Sequence, residues 1–207
     1  MIERVFLLLG SVFLLVNTIL YFRAYNKNIS LKIFTFYLLT VLVVQLVFNY
    51  LYIMGINNLF LSHFYFIFQF VFLSLFYWKL FKTYKNKRIV EIVFIGIMLI
   101  LAFQYVKTPS IYFKFNLLEI ILTSLSIVSF SVMYFYNALT EKIEYAYVNY
   151  GIFIYLISST LIFCSGNLIN VLNSTMNRLF WILNSVLFIV YQVLIFIQWH
   201  KIFKSKI

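Results

Sequence analysis

The chain has 207 residues, 65% of them hydrophobic and 10% charged, with a formal net charge of +11. A water-facing domain carries about a quarter charged residues, so a soluble globular fold is excluded. A mean hydropathy of +1.01 spread over repeated apolar runs predicts an all-α polytopic membrane protein instead.

Seven spans are predicted in chain order. The first is about Val5–Phe22. The stretch "YFRAYNKN" follows it with no small-x-small cleavage site, so it reads as a retained helix rather than a signal peptide. The second is about Ile33–Ile53, and the turn "GINN" leads to the third, about Leu59–Trp78. The basic segment Lys79–Arg88 separates it from the fourth, about Ile89–Tyr105, which ends before the single proline, Pro109. The fifth is about Phe115–Tyr136, the sixth about Val148–Ile169 and the seventh about Leu179–Gln198, followed by the basic tail "WHKIFKSKI". The links are short, so residues 1–207 are read as one seven-helix transmembrane domain with no extramembrane domain.

The sixteen Lys and Arg lie between apolar runs, where topology signals belong, and not on a nucleic-acid surface. Twelve fall at one set of span ends: Arg23, Lys27, Lys32, Lys79, Lys82, Lys85, Lys87, Arg88, Lys142, Lys201, Lys204 and Lys206. Arg4, Lys107, Lys114 and Arg178 fall at the other. The expected topology therefore has the N-terminus outside and the C-terminus in the cytoplasm of a bacterial inner membrane.

Polar groups inside spans are costly, so each is a candidate site. Gln45, Asn49, His63, Gln69, Glu119, Ser159, Asn167 and Asn184 all fall in the expected outer half of the bilayer. Glu119 is the one acidic residue well inside a span. With Thr123 and Ser126 it shares a helix face at i, i+4, i+7. An uncompensated carboxylate there is protonated or takes a cation. His63, Arg178 and Lys114 are the candidate partners, and Glu91 is expected to pair with Lys87 or Arg88. Ser158, Ser159, Thr160 and Cys164 also read as close-packing residues bonding their own helix. The amides serve equally as interhelical bonds or as a pocket.

The chemistry narrows the function. There is no aspartate, only two distant histidines (His63 and His200) and one cysteine, Cys164. That excludes Asp-based intramembrane proteases and transferases, a His-rich metal site and an intramolecular disulfide. No nucleophile elbow or phosphate-binding glycine loop occurs. No lysine lies inside the seventh span for a retinal Schiff base. The expectation is a protein that is not an enzyme and holds no cofactor or metal.

With the seven spans and basic inner loops, the segments "SST…SGN" and "WILNSVLFIVYQ" resemble small uncharacterised seven-helix bacterial membrane proteins, often encoded near sensor histidine kinases. The resemblance covers the whole chain. It implies a signalling context and no functional residues. The leading expectation is an integral inner-membrane sensory or accessory protein with an outer-leaflet polar pocket for a small or amphiphilic ligand. Its basic face, Lys79, Lys82, Lys85, Lys87 and Arg88, would meet membrane lipid or a protein partner such as a sensor kinase. The alternatives are a structural subunit of a larger membrane complex and a small transporter or channel using Glu119.

Overall fold

The computed structural model describes residues 2–140, 142–169 and 174–204, with side chains placed over 5–140, 142–165 and 178–202. Its elements are α1 (Ile2–Phe22), α2 (Ile29–Ile53), α3 (Phe60–Leu80), α4 (Tyr84–Lys107), α5 (Leu117–Asn137), α6 (Ala146–Ile169) and α7 (Ser174–Lys204). Short 3₁₀ turns cover Tyr25–Lys27 and Pro109–Phe113. Among the described residues, seven helices are long and apolar enough to cross a membrane, the architecture of a multi-pass membrane protein.

The helices outrun the predicted spans mainly where polar residues begin or end them. α4 starts at Tyr84 instead of about Ile89, so Lys85, Lys87 and Arg88 lie on its first turns and not in a loop. A hydropathy window stops at the first lysine. The helical backbone continues because its hydrogen bonds are internal, and long basic side chains reach toward water from a helix end.

Local sequence explains the ends. The Asn28 side chain accepts from Leu31 N at 2.6 Å and caps α2. α2 stops at Gly55, whose φ of 69° lies in the left-handed region. Ile56 N donates to Leu51 O and Gly55 N to Tyr52 O, a Schellman closure. Pro109 opens the 3₁₀ turn before α5, at a position where a missing N–H costs nothing.

The chain divides into two compact units. Residues 24–130 form one, with α2, α3, α4 and most of α5. Its core is aromatic: Phe34 meets Phe76 at 5.1 Å between ring centroids, Phe70 stacks on Phe94 of α4 at 5.5 Å, and Tyr77 meets Phe130 of α5 edge-on at 6.3 Å.

Residues 1–23 and 131–207 form the other, in which α7 packs on both α1 and α6. Polar side chains join its helices. Asn17 of α1 donates to the Gln192 side chain at 2.9 Å and to its carbonyl at 2.8 Å. Ser131 donates to Asn149 at 2.9 Å, and Gln198 accepts from Tyr147 N at 2.9 Å. The Trp199 indole donates to the Leu20 carbonyl at 3.2 Å. Such bonds in membrane helices are worth about 0.6 kcal/mol on average and about 1.7 at most. Gln192→Leu is therefore expected to lower unfolding free energy by about 1 kcal/mol, measured by denaturant titration in detergent. A loss of several kcal/mol would give Asn17–Gln192 a larger role than helix pairing.

Candidate functional site

α3 and α4 run antiparallel, joined by a link of three residues, 81–83. His63 at the start of α3, Tyr105 at the end of α4 and Glu119 at the start of α5 therefore meet at one end of their unit. Trp78 and Glu91 meet at the other.

At the first end, Glu119 is fully buried and His63 is 3% exposed. His63 Nδ1 lies 2.8 Å from Glu119 Oε2. With Glu119 as a carboxylate, which only accepts, Nδ1 is the donor of this bond. The Tyr105 hydroxyl donates to the same oxygen, and lies 2.8 Å from His63 Nδ1. Asn116 Nδ2 adds a longer bond to Oε2 at 3.3 Å, while Glu119 N donates back to Asn116 Oδ1 at 3.3 Å. Gln104 fixes Asn116 through two reciprocal amide bonds of 3.1 and 3.2 Å.

The outer atom of each group differs. Glu119 Oε1 and His63 Nε2 are buried and have no hydrogen-bond partner. Three donors crowd one carboxylate oxygen and none reaches the other. Leaving a buried polar atom unpaired costs about 1–3 kcal/mol, and more for a charged group. Tyr112 of the 3₁₀ turn stacks on the His63 ring at 5.9 Å. Phe60 stacks on Tyr112 at 6.0 Å and Phe64 meets it edge-on at 6.3 Å. A carboxylate beside aromatic faces is a combination that attracts cations.

The candidates distribute as follows. Glu119 and His63 come together. Lys114, the alternative partner in this unit, is exposed on the preceding link. Thr123 lies on the same buried face as Glu119 and donates to its carbonyl at 2.7 Å. Gln69 is buried on α3 with both amide atoms unpaired. Gln45 is half-buried on α2, whereas Asn49 is exposed, turned away from the interior of its unit. Ser159 and Thr160 bond the Leu156 carbonyl of their own helix, at 3.3 and 2.7 Å. Asn184 is half-buried with Oδ1 unpaired. The side chain of Asn167 lies outside the described residues.

The sequence does not single out Gln104, and a tyrosine at a span end, such as Tyr105, reads as an interfacial anchor. The available signal was spacing: Gln104 and Tyr105 close α4 at the level where α5 opens with Asn116 and Glu119. Among the described residues no group of three His, Cys, Asp or Glu is placed to hold a metal ion.

At the other end, Glu91 accepts from the Trp78 indole at 2.9 Å and from Arg88 at 3.1 Å. The Lys87 ammonium sits 5.1 Å from the Trp78 ring centre. Lys79 closes α3, Lys82 lies on the link, and Lys85, Lys87 and Arg88 open α4. The basic segment is thus carried on two helix ends. No protein-family model, curated protein or solved structure matches the chain.

Proposed function

We propose that this membrane protein is a sensory or accessory protein that binds the amine group of a small or amphiphilic ligand at Glu119 and His63. The observation carrying this reading is the buried Glu119 Oε1, which has no hydrogen-bond partner although three donors meet Oε2. An ammonium donates to Glu119 Oε1, while Tyr112, stacked on His63, supplies an aromatic face for its charge. Tyr105, Asn116 and Gln104 hold the carboxylate so that only Oε1 is offered.

Positive-inside charge bias supports an N-terminus outside and a C-terminus in the cytoplasm of a bacterial inner membrane. The ligand end of α3 and α4 then faces outward, and Lys79–Arg88 faces inward toward a partner such as a sensor kinase. α3 and α4 link the two ends directly, so a ligand that shifts His63 and Tyr105 acts on the helices that carry the basic segment.

The test is thermal unfolding of the purified protein with alkylamines, matched alcohols and matched fatty acids. The amine alone is expected to stabilise, by about 2.7 kcal/mol at a hundred times its Kd, and Glu119→Gln is expected to remove the shift. Equal stabilisation by alcohol and amine, or none by either, defeats the ligand reading. It leaves the structural-subunit alternative, whose own signature is co-purification with a larger complex. The transporter alternative requires amine flux in proteoliposomes that Glu119→Gln abolishes.

A further inference from the structure

The second cluster carries an inference independent of the Glu119 site. Between α3 and α4 lies a cleft of about 210 Å³ lined by Ser74, Leu75, Trp78, Val90, Glu91 and Phe94. That is several times the ~30 Å³ share of one water, and smaller than the ~300–1,000 Å³ of a site that encloses a whole ligand. It suits part of a larger molecule. Its lining is mostly apolar, through Leu75, Val90 and Phe94. Trp78 and Glu91 add polar groups, and Lys87 and Arg88 stand beside them, Lys87 over the Trp78 ring and Arg88 bonded to Glu91.

Ser74 sets this cleft apart. Thr18, Thr35, Thr40, Thr123, Ser129, Thr160 and Ser185 each return the hydroxyl to the carbonyl four residues back. That is how such residues satisfy themselves in an apolar helix. Ser74 does not. It is 2% exposed, lines the cleft, and its hydroxyl has no partner.

We propose that the cleft binds an anionic glycerophospholipid, with the apolar part nearest its ester groups against Leu75, Val90 and Phe94. Its ester carbonyl accepts from Ser74 and its phosphate lies at Lys87 and Arg88. The spacing agrees with this. Ser74 lies one turn deeper than Trp78, about 6 Å along the helix, much as the ester of a glycerophospholipid lies deeper than its phosphate. The charge agrees as well. Glu91 is already engaged by Trp78 and Arg88, and Lys87 and Arg88 beside it leave a net positive charge for a phosphate. A zwitterionic lipid would bring its own ammonium against those cations.

The experiment is native mass spectrometry of the full chain released from micelles containing equal phosphatidylglycerol and phosphatidylcholine. Wild-type protein is expected to retain phosphatidylglycerol preferentially. Lys87→Gln and Arg88→Gln, both at the membrane edge, are each expected to cut that preference about fivefold. Ser74→Ala removes one hydroxyl without adding bulk, and is expected to cut phosphatidylglycerol retention by a similar factor of about five. Equal retention of the two lipids overturns the proposal. So does a preference that survives both charge substitutions, or phosphatidylglycerol retention that Ser74→Ala leaves unchanged. Because the amine test reads Glu119 at the other end of the helices, either proposal can fail alone.

Discussion

His63→Leu is expected to destabilise the protein by about 3–5 kcal/mol, the cost of leaving the buried Glu119 carboxylate without its basic partner. The reason is local. Glu119 is fully buried, and with His63 gone its remaining donors to Oε2 are Tyr105 and Asn116. The carboxylate then keeps its burial and loses its basic partner. Adding Glu119→Leu to His63→Leu removes the uncompensated group and is expected to restore stability to within about 1 kcal/mol of wild type, because an apolar replacement of a buried pair is often neutral or better. Unfolding free energies of the two single variants and the double variant form a cycle. Strong non-additivity is the expected result. Additive losses would mean that the two side chains act independently, and the 2.8 Å contact would carry no coupling.

The second large effect is steric and lies in the other unit. Gly151→Leu is expected to cost about 3 kcal/mol, the upper end of the usual overpacking range. A Cβ at Gly151 would stand 2.6 Å from Tyr191 Cδ2 and 3.4 Å from Leu194 Cβ. Tyr191 has little room to yield, since it is 1% exposed and lies nearly parallel to Tyr155 at 5.3 Å. α6 and α7 approach closely here because Gly151 has no side chain, which is the role small residues serve between membrane helices. Gly151→Ala is expected to lose about 1–2 kcal/mol despite its better helix propensity. Gly96 is the control. Nothing lies within 4 Å of a Cβ built there, so Gly96→Ala is expected to be neutral or to gain up to about 1 kcal/mol. Thermal unfolding of the three variants separates the cases. A Gly151→Ala protein as stable as Gly96→Ala would contradict the close approach.

The spans were legible because each is long and apolar enough to register in a hydropathy window, and the helix ends were not, because Tyr84–Arg88 is helical yet polar. That Glu119 needs a partner followed from one rule, that an ionisable group in an apolar helix is costly alone, and the sequence left His63, Arg178 and Lys114 as the candidates. The rest of the cluster was hidden by ambiguity of residue type. A tyrosine at a span end reads as an interfacial anchor, and Tyr105 is also a hydrogen-bond donor to Glu119. Asn17 and Gln192 are 175 residues apart. Nothing local in either helix says that α1 closes against α7. Ser74 was overlooked for the opposite reason: a serine in an apolar helix reads as self-satisfied, and only coordinates show a hydroxyl that is not.

The central claim is that Glu119 and His63 serve recognition rather than the cohesion of the helices. The Glu119→Leu/His63→Leu double variant tests it most directly, read by amine-induced thermal stabilisation beside its own unliganded melting temperature. The expected result is a folded protein that melts near wild type and gains nothing from an alkylamine that stabilises wild type. A double variant that is still stabilised by the amine to the wild-type extent would contradict the claim.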